Sequence, residues 1–160
     1  LMAETALRQA LPRLPHPFDL SKKRSYFSAL SETSTPAGIS SSQYLYLSGR
    51  YGCETDELLA SAPPEENKAI HNLPNLWSEL RWAARNGAVE HLDDLLLRRV
   101  RLGLLLPDGA RAEMEHIRQI VQPELQWNDQ RWQMELSRYY QIYQQAYSPS
   151  PAGFDIEEKR

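Results

Sequence analysis

Trp132, Leu136, Tyr139, Tyr143 and Ala146 recur at steps of four, three, four and three residues. An α-helix lines such positions up on one stripe, and a stripe this apolar packs against other helices. Between them lie Arg131, Gln133, Gln141 and Gln144, which are polar. Asn128 stands in front as an N-cap, so the spacing predicts a helix reaching Tyr147. The expectation is a buried seam with Trp132 and Tyr143 turned toward the helical run that starts at Leu76 and closes at Arg99. The same period appears upstream. Leu76, Leu80, Ala83 and Ala84 form a stripe in a helix expected to start at Pro74 and run to Asn86. Glu79 is expected to reach forward, toward the turn of Trp82 and Ala83. Gly87 interrupts the run, and Leu92, Leu95, Leu96 and Arg99 resume it. Met114, Ile117 and Val121 place a helix over 111–121, stopped by Pro123.

Shorter helices are expected around Tyr44, Leu45 and Leu47, ended by Gly49 or Gly52 in the left-handed region, and around Leu58 and Leu59 behind Thr55 as N-cap. Pro107-Asp108-Gly109 marks a turn. No run of roughly four to eight residues alternates apolar and polar in the manner of a strand. The expected fold class is all-α, a compact domain of about five to six helices.

Residues 1–11 read as a helix without a capping residue in front, the remnant of a preceding element. Residues 12–42 are rich in Pro, Ser and Thr and read as a linker, locally basic at Lys22, Lys23 and Arg24. Residues 43–147 form the helical domain, and residues 148–160 a frayed tail. The chain has 160 residues, with 18 basic and 21 acidic side chains. Their near balance gives no electrostatic ground for binding nucleic acid. The apolar run Leu102–Leu106 is broken by Gly103 and falls far short of the roughly 20 residues of a membrane span. No basic-then-apolar leader opens the chain. Cys53 is the only cysteine; no internal disulfide can form, which fits a reducing compartment. A small, at least half-buried thiol explains it better than a reactive one.

Chemistry-bearing patterns are sparse. The 7 glycines never form G-x-G-x-x-G or a P-loop, so no cofactor is expected on this chain. The histidines are scattered. Neither Glu113 with His116 nor the group Glu90, His91, Asp93 and Asp94 matches H-E-x-x-H, so neither metal nor catalytic residues are expected. Arg81 and Arg85 are a like-charge pair four residues apart; they lie on a solvated face, or bind an anion or an acidic helix end. Asp94 is placed to pair with Arg98. Arg98, Arg99 and Arg101 fall at a helix C-terminus, where cations suit the dipole.

Three blocks resemble one family in order and spacing. They are Leu47 with Arg50-Tyr51-Gly52, the run from Glu79 through Arg85 and Asp94 to Arg98-Arg99, and Glu124-Leu-Gln-Trp127-Asn followed by a helix with Glu135 and Tyr139 or Tyr140. The chain from Gln43 to about Tyr140 thereby resembles the all-α C-terminal domain of FAD-dependent glycerol-3-phosphate dehydrogenases. It departs from the family pattern at Gly87, usually acidic, and at His91 and Val100, usually threonine. Gly87 is expected to weaken its helix by about 1 kcal/mol relative to alanine.

The resemblance implies a cap, with Arg50, Tyr51, Gly52, Glu79, Arg85, Asp94, Arg98, Arg99 and Trp127 structural. It makes residues 1–11 the remnant of the FAD domain's last helix, with FAD and the catalytic residues upstream of Leu1. The parent would oxidise sn-glycerol 3-phosphate to dihydroxyacetone phosphate and pass electrons through FAD to quinone. The implied partners are the upstream FAD/substrate domain and, through the parent, quinone or the membrane surface. The implied location is cytoplasmic, with the parent peripheral on the inner face of the membrane. A competing reading is a free-standing all-α module that uses its arginines on an acidic partner or nucleic acid. A reading frame carrying G-x-G-x-x-G upstream separates the two.

Overall fold

A computed structural model describes residues 2–13, 15, 35–36 and 38–148. Most of the expected linker and nearly all of the expected tail lie outside the described residues. Helix α1, Met2–Ala10, continues into a 3-10 turn at Leu11–Arg13 and belongs to a unit of its own, Leu1–Ser31. Its Leu7 is exposed.

The second unit, Glu32–Arg160, holds the remaining helices. Ser40 and Gln43 cap helix α2, Ser41–Tyr51, reciprocally, so two orphan backbone donors are satisfied at once. Gly52 ends it at φ 59 and ψ −129, a positive-φ conformation that suits glycine but differs from the left-handed helical cap expected. A 3-10 turn, Gly52–Glu54, leads into α3, Thr55–Ala60. Thr55 therefore lies inside the helix rather than capping it, and its hydroxyl donates to the Gly52 carbonyl at 2.8 Å.

Helix α4, Ser78–Asn86, starts later than Pro74 implied. Ala69 and Leu76 form an isolated antiparallel bridge, and the Ile70 N–H donates to the Asn75 carbonyl at 2.8 Å. A tight turn thus runs from Ile70 to Asn75 and takes in Pro74, yet Leu76 still joins Leu80, Ala83 and Ala84 in the interior. Gly87 lies past the last turn of α4, and its N–H donates to the Ala83 carbonyl at 2.8 Å. The expected helical penalty does not apply, because a Cβ at this position would stand 2.4 Å from that same carbonyl oxygen. Backbone must move to admit it. Gly87→Ala is expected to destabilise the domain by roughly 1–3 kcal/mol in urea unfolding; equal or greater stability would contradict this packing.

The chain next forms a π-helical turn, Asp94–Arg99, in which the Val100 N–H reaches back five residues to the Leu95 carbonyl at 2.9 Å. The wider turn lets Leu95, Leu96 and Leu97 all face inward; at the ordinary pitch three successive residues spread around the helix. Arg101 follows at φ 66, then α5, Leu102–Leu105, and α6, Pro107–Ala110. Asp108, Gly109 and Ala110 are all left-handed. A 3-10 turn, Arg111–Glu113, enters α7, Met114–Glu124, and Pro123 sits in its last turn. Asn128 caps α8, Asp129–Ala146, its Oδ1 accepting the Arg131 N–H at 2.8 Å. Among the described residues there is no β-strand beyond the single bridge, and the all-α expectation holds.

Two apolar clusters organise this unit. The larger gathers Leu80, Leu95, Leu96, Ile117, Val121 and Trp132; the smaller gathers Leu47, Leu58, Leu59, Leu76 and Trp82. The α8 stripe is buried at Trp132 and Tyr139, half-buried at Leu136 and Tyr143, and exposed at Ala146. Trp132 shares the larger core with α4, as expected. Tyr143 packs at the edge of the same core and lies over Gly109, where an added Cβ would come within 3.1 Å of its ring. The Tyr139 hydroxyl donates to the Gly109 carbonyl at 2.8 Å.

Candidate functional site

Glu79, in the first turn of α4, is 0% exposed. Its Oε1 accepts the Leu76 N–H at 2.8 Å, filling one of the donors a helix start leaves unpaired. Its Oε2 accepts the Tyr51 hydroxyl at 2.7 Å and lies 3.3 Å from Arg50 Nη1. Glu79 therefore reaches back over its own helix start, not forward to Trp82 and Ala83. Forward reach would leave the Leu76 N–H and the buried Tyr51 hydroxyl without this acceptor. Arg50 also donates to the Tyr46 hydroxyl at 3.0 Å and to the backbone carbonyl of Arg99. Because Gly52 stops α2 just after Tyr51, both side chains sit at a helix end that meets α4. Arg50, Tyr51, Glu79 and Arg99 are thus brought together. Burial pushes the Glu79 carboxyl above the usual carboxylate range, although Tyr51, Leu76 and Arg50 pull the other way. Burial, then the Glu79 charge, push the Tyr51 hydroxyl far up.

A second cluster forms where Arg81 and Arg85 both grip Glu124 at the C-terminus of α7. Arg85 Nη2 donates to Glu124 Oε1 at 3.0 Å, and Arg81 pairs with the same carboxylate. Arg81 also holds Glu66 through two hydrogen bonds, 2.8 and 2.6 Å. Of the readings of this arginine pair, the acidic helix end is the one the structure shows. A carboxylate at a helix C-terminus opposes the dipole, and the two guanidiniums offset it. The Glu124 carboxyl is held below its ordinary value, chiefly by Arg85. Glu124→Ala leaves Arg81, 16% exposed, with only Glu66. A loss of about 1–3 kcal/mol is expected in denaturant unfolding at pH 7, shrinking as pH falls below the carboxylate range. An unchanged midpoint at pH 7 would contradict it.

In a third cluster, Arg98 pairs with Asp94 as expected and also lies 3.1 Å from Asp93, which Arg138 of α8 holds from the other side. Asp94 Oδ2 accepts the His91 N–H at 2.9 Å. Burial opposes the Asp94 charge, but the His91 N–H and Arg98 outweigh it and keep the carboxyl low. Glu135 of α8 is buried and accepts the Leu92 N–H at 3.2 Å; His91 Nδ1 lies 3.1 Å away and Arg131 2.7 Å. An acidic residue between Trp132 and Tyr139 on an apolar stripe was the available signal for that role. Trp127 is half-buried, its ring 6.3 Å from that of Trp132 and 5.6 Å from the Arg131 guanidinium carbon. Cys53, expected to be at least half-buried, is exposed on the 3-10 turn after α2.

Two cavities among the described residues are open hollows. One, of about 580 Å³, is lined by Leu73, Leu106, Ala110 and Arg111, with His71 and Glu113 paired at 2.8 Å. The other, of about 820 Å³, is lined by Arg50, Arg98, Arg99, Arg101, Leu104 and Leu105, among others. Glu79 lines neither. Among the described residues no cluster of three or more His, Cys, Asp and Glu could hold a metal ion, and no helix is long and apolar enough to cross a membrane. The motif side chains hold helices together; the hollows offer binding surface without a nucleophile beside a base.

No curated protein and no solved structure matches the chain. One family model, the C-terminal domain of alpha-glycerophosphate oxidase, matches residues 18–132. That span takes in every helix from α2 to the first turn of α8, and with them Arg50, Tyr51, Gly52, Glu79, Arg85, Asp94, Arg98, Arg99 and Trp127. Matched over most of its length and helical where the family's motif residues interlock, the chain belongs to the family of alpha-glycerophosphate oxidase C-terminal domains, found in FAD-dependent oxidoreductases.

Proposed function

We propose that this chain is the non-catalytic helical cap of an FAD-dependent glycerol-3-phosphate dehydrogenase. The parent oxidises sn-glycerol 3-phosphate to dihydroxyacetone phosphate and passes electrons through FAD to quinone. The cap's partner is the FAD/substrate domain of the same enzyme, and residues 1–11 correspond to that domain's last helix. The parent works on the cytoplasmic side, peripheral to the membrane.

The observation that carries this reading is where the family's signature residues go. Glu79 is fully enclosed by Leu76, Tyr51 and Arg50, and Arg85 is bound to Glu124. Residues engaged with one another in this way support a scaffold, whereas a reacting group must meet a substrate. Titration of the purified chain with FAD tests it. No stoichiometric quenching of flavin fluorescence is expected, and no dye reduction with glycerol 3-phosphate. Binding of one FAD per chain, or turnover, would overturn the reading.

A further inference from the structure

Among the described residues, the guanidiniums of Arg50, Arg98, Arg99 and Arg101 line the larger hollow and no carboxylate does. Arg50 is committed to Glu79, and Arg98 to Asp93 and Asp94. Arg99 and Arg101 make no ion pair and no side-chain hydrogen bond among the described residues. Two positive charges in the hollow are thus left without a protein counter-charge. The helix dipole accounts for Arg99, at the end of the π-turn, but not for Arg101, which stands at the start of α5. Arg101 is also held at φ 66, a region that glycine or asparagine enters with far less strain. Strained residues of this kind concentrate where ligands are clamped. Leu104 and Leu105, each 48% exposed, line the same hollow. So does Tyr46, whose hydroxyl accepts from Arg50 at 3.0 Å and keeps its own proton to donate.

We propose that the hollow binds a phosphate monoester with an apolar body, its phosphoryl group on Arg99 and Arg101 and its body on Leu104 and Leu105. The charge selects a monoester. Such a group carries about −1.5 to −2 charges at pH 7, which answers both guanidiniums, whereas a carboxylate or a phosphodiester carries one. The geometry of the donors agrees, because guanidinium forks meet phosphate oxygens two at a time. The two half-exposed leucines are covered only if the rest of the ligand is apolar. A soluble ester and a lipid headgroup at a bilayer surface present the same group. This assignment is independent of the flavoenzyme reading.

Nitrogen-15 correlation spectra of the full chain, titrated with phenyl phosphate and separately with inorganic phosphate, test it. Saturable shifts are expected at the amides of residues 99–105, with phenyl phosphate bound about tenfold more tightly. Arg99→Gln/Arg101→Gln should weaken phenyl phosphate by about tenfold or more, while Arg111→Gln, in the smaller hollow, leaves it unchanged. Should the glutamine pair lose its fold by circular dichroism, Arg99→Lys/Arg101→Lys takes its place, since it keeps the charge and removes the fork; weaker binding is expected there too. Leu104→Ser/Leu105→Ser should bring phenyl phosphate down to the affinity of inorganic phosphate. Vesicles of phosphatidylcholine with and without phosphatidate separate the two sources. Sedimentation that requires phosphatidate and is lost in the arginine variants assigns a lipid headgroup; phenyl phosphate binding without sedimentation assigns a soluble ester, and either supports the site. Shifts that never saturate, that persist in the arginine variants, or that are equally tight for both phosphates would overturn it.

Discussion

Trp132→Ala is expected to lower the midpoint of thermal unfolding by roughly 12–20 °C, at about 4 °C per kcal/mol for a domain of this size. Trp132 is 1% exposed and belongs to the larger core. Truncation removes its apolar area from the interior and leaves a cavity that the surrounding helices fill only in part. Buried tryptophan truncations typically destabilise by about 3–5 kcal/mol, a large share of the roughly 5–15 kcal/mol that holds a domain together. Tryptophan and tyrosine are also favoured at docking faces, so α8 could be read as an interface. Its burial at Trp132 and Tyr139 argues for core at that end. Melting followed by circular dichroism distinguishes the two. A midpoint within a degree or two of the unaltered chain would mean that Trp132 serves association rather than folding.

Glu79→Ala is expected to have the second large effect, roughly 3–5 kcal/mol. It would strip an acceptor from the Leu76 N–H, the Tyr51 hydroxyl and Arg50 together. Glu79→Gln keeps the shape and isolates the charge. Burial raises the folded carboxyl above its unfolded value, so between those two values the folded chain binds more protons than the unfolded one. Stability from this group is therefore full below about pH 4.5, close to the unfolded value, and declines as pH rises through the folded pKa. Asp94 and Glu124 act in the opposite sense, since their folded carboxyls are lowered. The difference between the unaltered chain and Glu79→Gln cancels those contributions. That difference should shift against the unaltered chain from about pH 4.5 upward, and then level off. A difference that stays flat, or that moves the other way, contradicts a raised Glu79.

What could be read from the sequence follows how local each interaction is. Asn128 and the α8 stripe were legible because an N-cap and a helical period are set by residues within a few positions. Asp94 with Arg98 was legible as neighbours one turn apart. Glu79 with Tyr51 joins residues 28 apart, and Arg85 with Glu124 residues 39 apart. Those pairings arise when α4 meets α2 and α7, and no local rule supplies them. Pro74 misled for a related reason. Its fixed dihedral suits a first helical turn, but the bridge between Ala69 and Leu76 takes that stretch for a tight turn. The π-turn was invisible to a count based on 3.6 residues per turn, which accounts for Leu92, Leu95 and Leu96 but not for Leu97.

That π-turn makes the stretch from Asp94 to Arg99 a length gauge. Removing one residue there would allow the Val100 N–H to close on a carbonyl four residues back, at the ordinary α pitch. Everything downstream would then enter rotated by about 100° around the helix axis. Leu97 would turn out of the core, and the left-handed Arg101 would begin α5 in a new direction. Substitutions along this stretch exchange one side chain at a time, whereas a single deletion would re-aim the rest of the domain. Relatives of this chain should therefore tolerate changes of residue between Asp94 and Arg99 far better than changes of count.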